Sequence, residues 1–138
     1  MPTLTRWFIR TSFICLVLAA MLALLMAILP MFNFGNAGNL SVIYIHLFVL
    51  GWLTELAFGV VYWMFPKYSA EKPRGHGALG WWTYALLNLG LLLRAIAEPS
   101  NASHPNSVSG WVLVLSALLQ FLAGLFFVIN SWSRVRGR

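Results

Sequence analysis

The sequence predicts an all-α fold: an integral membrane four-helix bundle with both termini on the cytoplasmic side. Three observations carry this. Hydrophobic residues make up 60% of the chain, while charged residues make up 9% against about 25% in soluble domains. Four long apolar runs alternate with short segments rich in Pro, Gly, Asn or charge, and at roughly 20 residues per crossing the 138-residue chain accommodates four spans with no separate soluble domain. Finally, eight of the nine basic residues fall in the termini and the middle connection, as topology requires of a membrane protein.

The first span covers about 11–29 and is expected to stop at Pro30, before a loop with Asn33, Gly35, Asn36, Gly38 and Asn39. Arg6 and Arg10 in front of it resemble the basic region of a signal peptide. The apolar core is longer than the roughly 7 to 15 residues of a signal peptide's middle region, so the segment reads as a retained helix. The second span covers about 40–65, ends at Pro66, and leads into a polar connector from Lys67 to His76. The third covers about 79–97 and ends at Glu98 and Pro99. The fourth covers about 109–131, after a polar loop from Ser100 to Ser107 and before Arg134, Arg136 and Arg138. Proline, glycine or a charge cluster marks each boundary. No internal repeat is evident. The lone Cys15 lies in an apolar run and provides neither an intrachain disulfide nor a thiolate cluster.

Of nine Lys and Arg residues, eight fall at the N-terminus (Arg6, Arg10), in the middle connector (Lys67, Lys72, Arg74) or in the tail (Arg134, Arg136, Arg138). The positive-inside rule therefore puts those segments in the cytoplasm and the Asn33 and His104 loops outside. Trp7, Trp63, Trp81, Trp82 and Trp132 fall near the same inner interface, forming an aromatic belt. The +6 net charge is thus explained by topology and anionic lipid headgroups, which excludes nucleic acid as a partner. The expected location is the bacterial cytoplasmic (inner) membrane.

Few polar side chains lie within the spans, and each needs a partner or a task, because burying one in lipid costs free energy. They are His46 and Glu55 in the second span, Asn88 and Arg94 in the third, and Gln120 in the fourth. With about 1.5 Å of rise per residue, Glu55, Asn88 and Gln120 share the midplane, while His46 and Arg94 lie roughly 9 to 10 Å towards the external side. Glu98 is spaced to pair with Arg94 on one helix face. Nine residues at about 100° each place His46 and Glu55 on opposite faces of an α-helix. Glu55 sits between Gly51 and Gly59, a strip of small residues along which another helix can approach closely. Its carboxyl either bridges to Asn88 or Gln120 or carries protons in a transporter or redox protein. Arg94 either reaches the interface beside Glu98 or binds an anionic group such as a haem propionate. His46, above Leu50, Leu53 and Ala57, is either a hydrogen-bonded histidine or an iron or copper ligand. His76 and His104 read as solvated loop residues. No Asp occurs anywhere, and no phosphate loop or nucleophile–histidine pair is present, so hydrolytic and nucleotide chemistry have no basis.

The second span reads Ile-His46-Leu-Phe-Val-Leu-Gly51-Trp52, then Phe58-Gly59-Val-Val-Tyr62-Trp63-Met-Phe65-Pro66. Over about 25 residues it resembles the second helix of the catalytic subunit (subunit I) of haem-copper oxidases and nitric oxide reductases. The resemblance implies that His46 is the position of an axial haem ligand. That family's catalytic subunit has about a dozen helices and further histidines for its other ligands, and this chain lacks them, so the resemblance does not extend to oxygen or nitric oxide reduction. The expectation is a non-catalytic subunit of a respiratory or electron-transfer assembly that binds b-type haem through His46, with Arg94 towards the propionates and other membrane subunits or further copies of itself as partners. Two alternatives stand beside it. One is a haem-free structural or assembly subunit packing through Gly51, Glu55 and Gly59, and the other is a small proton-coupled transporter using Glu55.

Overall fold

A computed structural model describes residues 1–32, 38–66, 76–132 and 134–135. The fold is all-α, with four helices each long and apolar enough to cross a membrane and no strand among the described residues: α1 (Thr3–Phe32), α2 (Leu40–Met64), α3 (Gly77–Ser103) and α4 (Ser107–Trp132). Asn33, Gly35, Asn36, Lys67, Lys72, Arg74, Arg136 and Arg138, which the sequence places in loops and the tail, lie outside the described residues.

Helix α1 begins at Thr3, ahead of the span read from about residue 11, and the ends of α1 and α3 also differ from those read in the sequence. The α-helical part of α1 ends at Ile28, and the chain then runs through Pro30 in a 3₁₀ turn, Leu29–Phe32. Helix α3 continues through Glu98 and Pro99 to Ser103. Proline removes one backbone donor, but the helix resumes beyond it, where Ser103 Oγ donates to the Pro99 carbonyl (2.9 Å) and the His104 amide to Ser100 (3.0 Å). Helix α4 starts just afterwards because Asn106 caps it. The Asn106 side-chain oxygen accepts from the Ser109 amide at 2.8 Å, satisfying a donor that the first turn leaves unpaired. Pro66 ends α2 as expected, with Phe65 forced extended (ψ 148°).

Helix α2 is not uniform. Leu47–Thr54 is a π-helix between α-helical Gly38–His46 and Glu55–Met64. Here Thr54 Oγ1 donates five residues back, to the Val49 carbonyl (2.8 Å). A π-turn holds one residue more than an α-turn, so the chain rotates less per residue than 100°.

The buried positions explain how the helices associate. In α1, beside Leu4, they are Thr5, Phe8, Ser12, Cys15 and Ala19, the last five at alternating spacings of three and four. In α4 they include Ser109, Ser116, Ala123 and Asn130, one every seven residues. Both are coiled-coil spacings occupied largely by small or hydroxyl residues, which let helices in lipid approach closely and bond across the seam. Ser116 Oγ donates to the Gly90 carbonyl at 2.7 Å, joining α4 to α3. Helix α1 lies along α2, α3 along α4, and aromatic rings join the two pairs: Phe58 of α2 stacks on Phe127 of α4 (3.7 Å between centroids, 9° apart), and Phe8 of α1 meets Tyr84 of α3 edge-on at 5.1 Å. The outward faces carry exposed Val17, Met21, Leu24, Leu118, Phe121 and Val128, a surface compatible with lipid rather than water.

Candidate functional site

Glu55 is completely buried where α1, α2 and α3 meet. Asn88 Nδ2 donates to Glu55 Oε1 at 2.5 Å and also to the Tyr84 carbonyl at 3.0 Å. The Tyr84 carbonyl can only accept, so the amide orientation is determined and Oδ1 remains its acceptor end. The Thr11 hydroxyl lies within hydrogen-bonding reach of the carboxyl and also faces the carbonyls of Trp7 (2.9 Å) and Phe8 (3.1 Å). Glu55 Oε2 has no hydrogen-bond partner.

The glycines flanking Glu55 make this burial possible. A Cβ on Gly51 would lie 2.8 Å from both Cβ and Sγ of Cys15, and one on Gly59 would lie 2.9 Å from Phe8 Cβ. Helix α1 therefore occupies the strip that the sequence left open to some other helix. Gln120 shares the depth of Glu55 but not its network: Gln120 Nε2 approaches Ser116 Oγ (3.5 Å) in the α3–α4 seam, and its Cγ lies where a side chain on Gly90 would be.

His46 and Arg94 are the second layer. His46 is half-buried, and its Nδ1 faces the Val42 carbonyl at 2.8 Å. A carbonyl only accepts, so in the neutral ring Nδ1 carries the proton and Nε2 the lone pair, the tautomer in which Nε2 can ligate a metal. Around it α2 exposes Val42, Ile45, Val49 and Leu53. Because the π-helix lies between them, the angle separating His46 from Glu55 is smaller than the opposite-face arrangement of a uniform α-helix. Arg94 Nη1 pairs with Glu98 Oε1 at 3.1 Å, both side chains being mostly buried, and Arg94 Nε is buried with no hydrogen-bond partner. Among the described residues no hydrogen bond or ion pair joins His46 to Arg94, and no three His, Cys, Asp or Glu residues are grouped to hold a metal ion. His104 caps the end of α3 on the exposed surface, and His76 precedes α3.

Sequence reasoning missed the role of Arg134. Counted there as one charge of a basic tail, it is 2% exposed and fastens α4 to the end of α2. Nη2 donates to the carbonyls of Tyr62 (3.2 Å) and Phe65 (2.9 Å) and Nε to that of Pro66 (3.1 Å). The guanidinium also lies 5.7 Å from the Tyr62 ring centroid and 5.8 Å from that of Phe65. Asn130 does the equivalent for α3, accepting from the His76 amide at 3.0 Å. Its place in the seven-residue spacing of α4 was the available signal.

Compared with protein-family models, curated proteins and solved structures, the chain matches none.

Proposed function

We propose that this chain is a non-catalytic integral membrane subunit of a respiratory or other electron-transfer assembly, in which His46 is an axial ligand to a b-type haem held against a neighbouring subunit. The observation that supports this reading is the His46 tautomer: Nδ1 is committed to the Val42 carbonyl, which leaves the Nε2 lone pair on a half-buried ring beside apolar Ile45 and Val49. That donor and those apolar flanks suit one face of a porphyrin. When bound, haem would supply reversible one-electron chemistry. The chain's own part is to hold the imidazole in one tautomer and to exclude water around it. Arg94 keeps Glu98 as its partner, and a role towards propionates requires that one of them replace Glu98. In this reading both termini are cytoplasmic and the membrane is the bacterial inner membrane, as the distribution of basic residues implies.

A haem-free structural subunit is the second reading, and the packing of Glu55 favours it. The Gly51, Glu55 and Gly59 face is consumed within the chain by α1 and α3, so it serves this bundle and offers no surface to a partner. The same enclosure counts against a transporter in which two copies share the carboxyl. An optical spectrum of the purified protein after haemin reconstitution distinguishes the readings. A Soret band that His46→Ala abolishes, while helical content is retained, supports haem ligation. No Soret band, or one unaltered by His46→Ala, overturns it.

A further inference from the structure

Trp7, Trp81 and Tyr84 form an aromatic corner where α1 meets α3, close to the start of both helices. The Trp7 ring centroid lies 6.4 Å from that of Tyr84 with the planes 58° apart, and the Trp81 centroid lies 6.1 Å from it at 88°. On the core side Tyr84 meets buried Phe8, also at 88°. Rings inclined this steeply do not cover one another as stacked rings do, so indole faces stay open. Both indoles are nearly half exposed, Trp7 at 47% and Trp81 at 45%. An interfacial anchor needs only one such ring. Three rings gathered from two helices border a corner suited to holding an organic ammonium group against their faces.

The same groove continues towards the middle of the bundle. One turn beyond Trp7 and Tyr84 stand Thr11 and Asn88, where a cavity of about 240 Å³ begins and runs past Ile14, Leu18, Leu92 and Ala95. Leu18 and Leu92 are largely exposed on the lipid-facing surface, so the cavity opens sideways. Asn88 and Thr11 are already engaged within the bundle, Asn88 by Glu55 and the Tyr84 carbonyl and Thr11 by helix carbonyls and the Glu55 carboxyl, so the crevice suits an apolar occupant.

A cation lies between the two regions. Trp7, Arg10, Ile14 and Leu18 follow one another at spacings of three and four, so they share one face of α1. Arg10 is exposed and stands one turn deeper than Trp7, a rise of about 4.5 Å. The order along the groove is therefore aromatic, cationic, apolar. A phospholipid whose headgroup ends in an ammonium has the complementary order of ammonium, phosphate and acyl chain.

We propose that this groove binds a phospholipid with an ammonium-bearing headgroup, of the phosphatidylethanolamine kind. The ammonium lies against the Trp7, Tyr84 and Trp81 rings, the phosphate pairs with Arg10, and one acyl chain lies in the crevice between Leu18 and Leu92. The site does not depend on haem ligation by His46.

The test is native mass spectrometry of the full chain, purified in detergent, with two acyl-matched probes: dioleoyl phosphatidylethanolamine and dioleoyl phosphatidylglycerol. The ethanolamine lipid is expected to bind about tenfold more tightly, the factor that an ammonium against aromatic faces supplies. Trp7→Leu combined with Trp81→Leu is expected to remove that preference, while Phe at both positions retains most of it. If the double leucine variant fails to fold, Trp81→Leu alone provides the same test. Arg10→Gln is expected to weaken both lipids several-fold, because both carry the phosphate, and so is Ala95→Phe, which fills the crevice. Equal or tighter binding of phosphatidylglycerol overturns the proposal and shows that the basic residues attract any anionic lipid. A preference that survives the loss of both indoles, or binding unaffected by Ala95→Phe, overturns it too.

Discussion

Arg134 and Phe65 are joined across 69 residues by a 2.9 Å hydrogen bond from the guanidinium to the last carbonyls of α2. With the bonds to Tyr62 and Pro66 it forms a C-terminal cap supplied by another helix, placing a cation where the helix dipole is negative. Arg134→Ala leaves three carbonyls without this donor. The expected cost is about 2–3 kcal/mol, since hydrogen bonds to charged groups contribute more than neutral ones. Arg134→Lys keeps the charge but not the planar fork, and is expected to recover less than half of that loss. Thermal unfolding of the detergent-purified variants measures both. Equal stability of Arg134→Ala and the parent would show that the cap contributes nothing.

The Glu55–Asn88 contact links α2 to α3 in the middle of the bundle. A double-mutant cycle with Glu55→Met and Asn88→Leu isolates it from the effects of each replacement on packing. The expected coupling is about 1 kcal/mol, near the upper half of the range for polar contacts between membrane helices. Asn88→Leu alone is expected to be the most damaging of the three variants, because it leaves a completely buried carboxyl without its donor. A double variant as unstable as the sum of the singles would show no coupling.

Packing of α1 on α2 depends on the absence of a side chain at position 51, where a Cβ would lie 2.8 Å from Cys15 Cβ. Gly51→Ala is expected to destabilise by about 1–3 kcal/mol through overpacking. The second-site changes discriminate the cause: Cys15→Gly removes the Cβ and should restore more of the loss than Cys15→Ala, which removes only Sγ. If both rescue equally, the clash is with sulfur alone.

Four spans were legible because apolar length and punctuation by Pro66, the loops and charge are one-dimensional properties. The pairing of Glu55 with Asn88, and of Arg94 with Glu98, was legible from rise and spacing. Depth does not fix azimuth, however. Gln120 lies level with Glu55 but faces the α3–α4 seam, and only packing decides that. Pro99 marked the end of a helix that in fact continues, because one lost donor is tolerated where following residues re-form the ladder. Arg134 was hidden in a charge count, since a basic residue at a span's end satisfies the topology rule whatever it touches. The π-helix has no compositional signature, and it altered the one rotational argument made between His46 and Glu55.

That π-helix makes a prediction of its own. Between Leu47 and Thr54 each hydrogen-bonded turn carries one residue more than an α-turn requires, so removing a residue there allows the chain to return to α geometry with its flanks nearly in register. Removing a residue from the α-helical part, Glu55–Met64, has no such reserve: everything beyond it turns by about 100°. Deletion of Leu50 is therefore expected to leave a folded protein, with Gly59 still against Phe8 and Tyr62 and Phe65 still under Arg134. Deletion of Val60 is expected to turn the end of α2 away from that cap and to abolish stable expression. Circular dichroism and thermal unfolding of the two deletions, with Arg134→Ala made in each, check this directly. In the Leu50 deletion the arginine change should cost as much as in the parent, because the cap persists. If the two deletions are equally damaging, the extra residue is needed for the packing of α2 and is not a reserve that the helix can release.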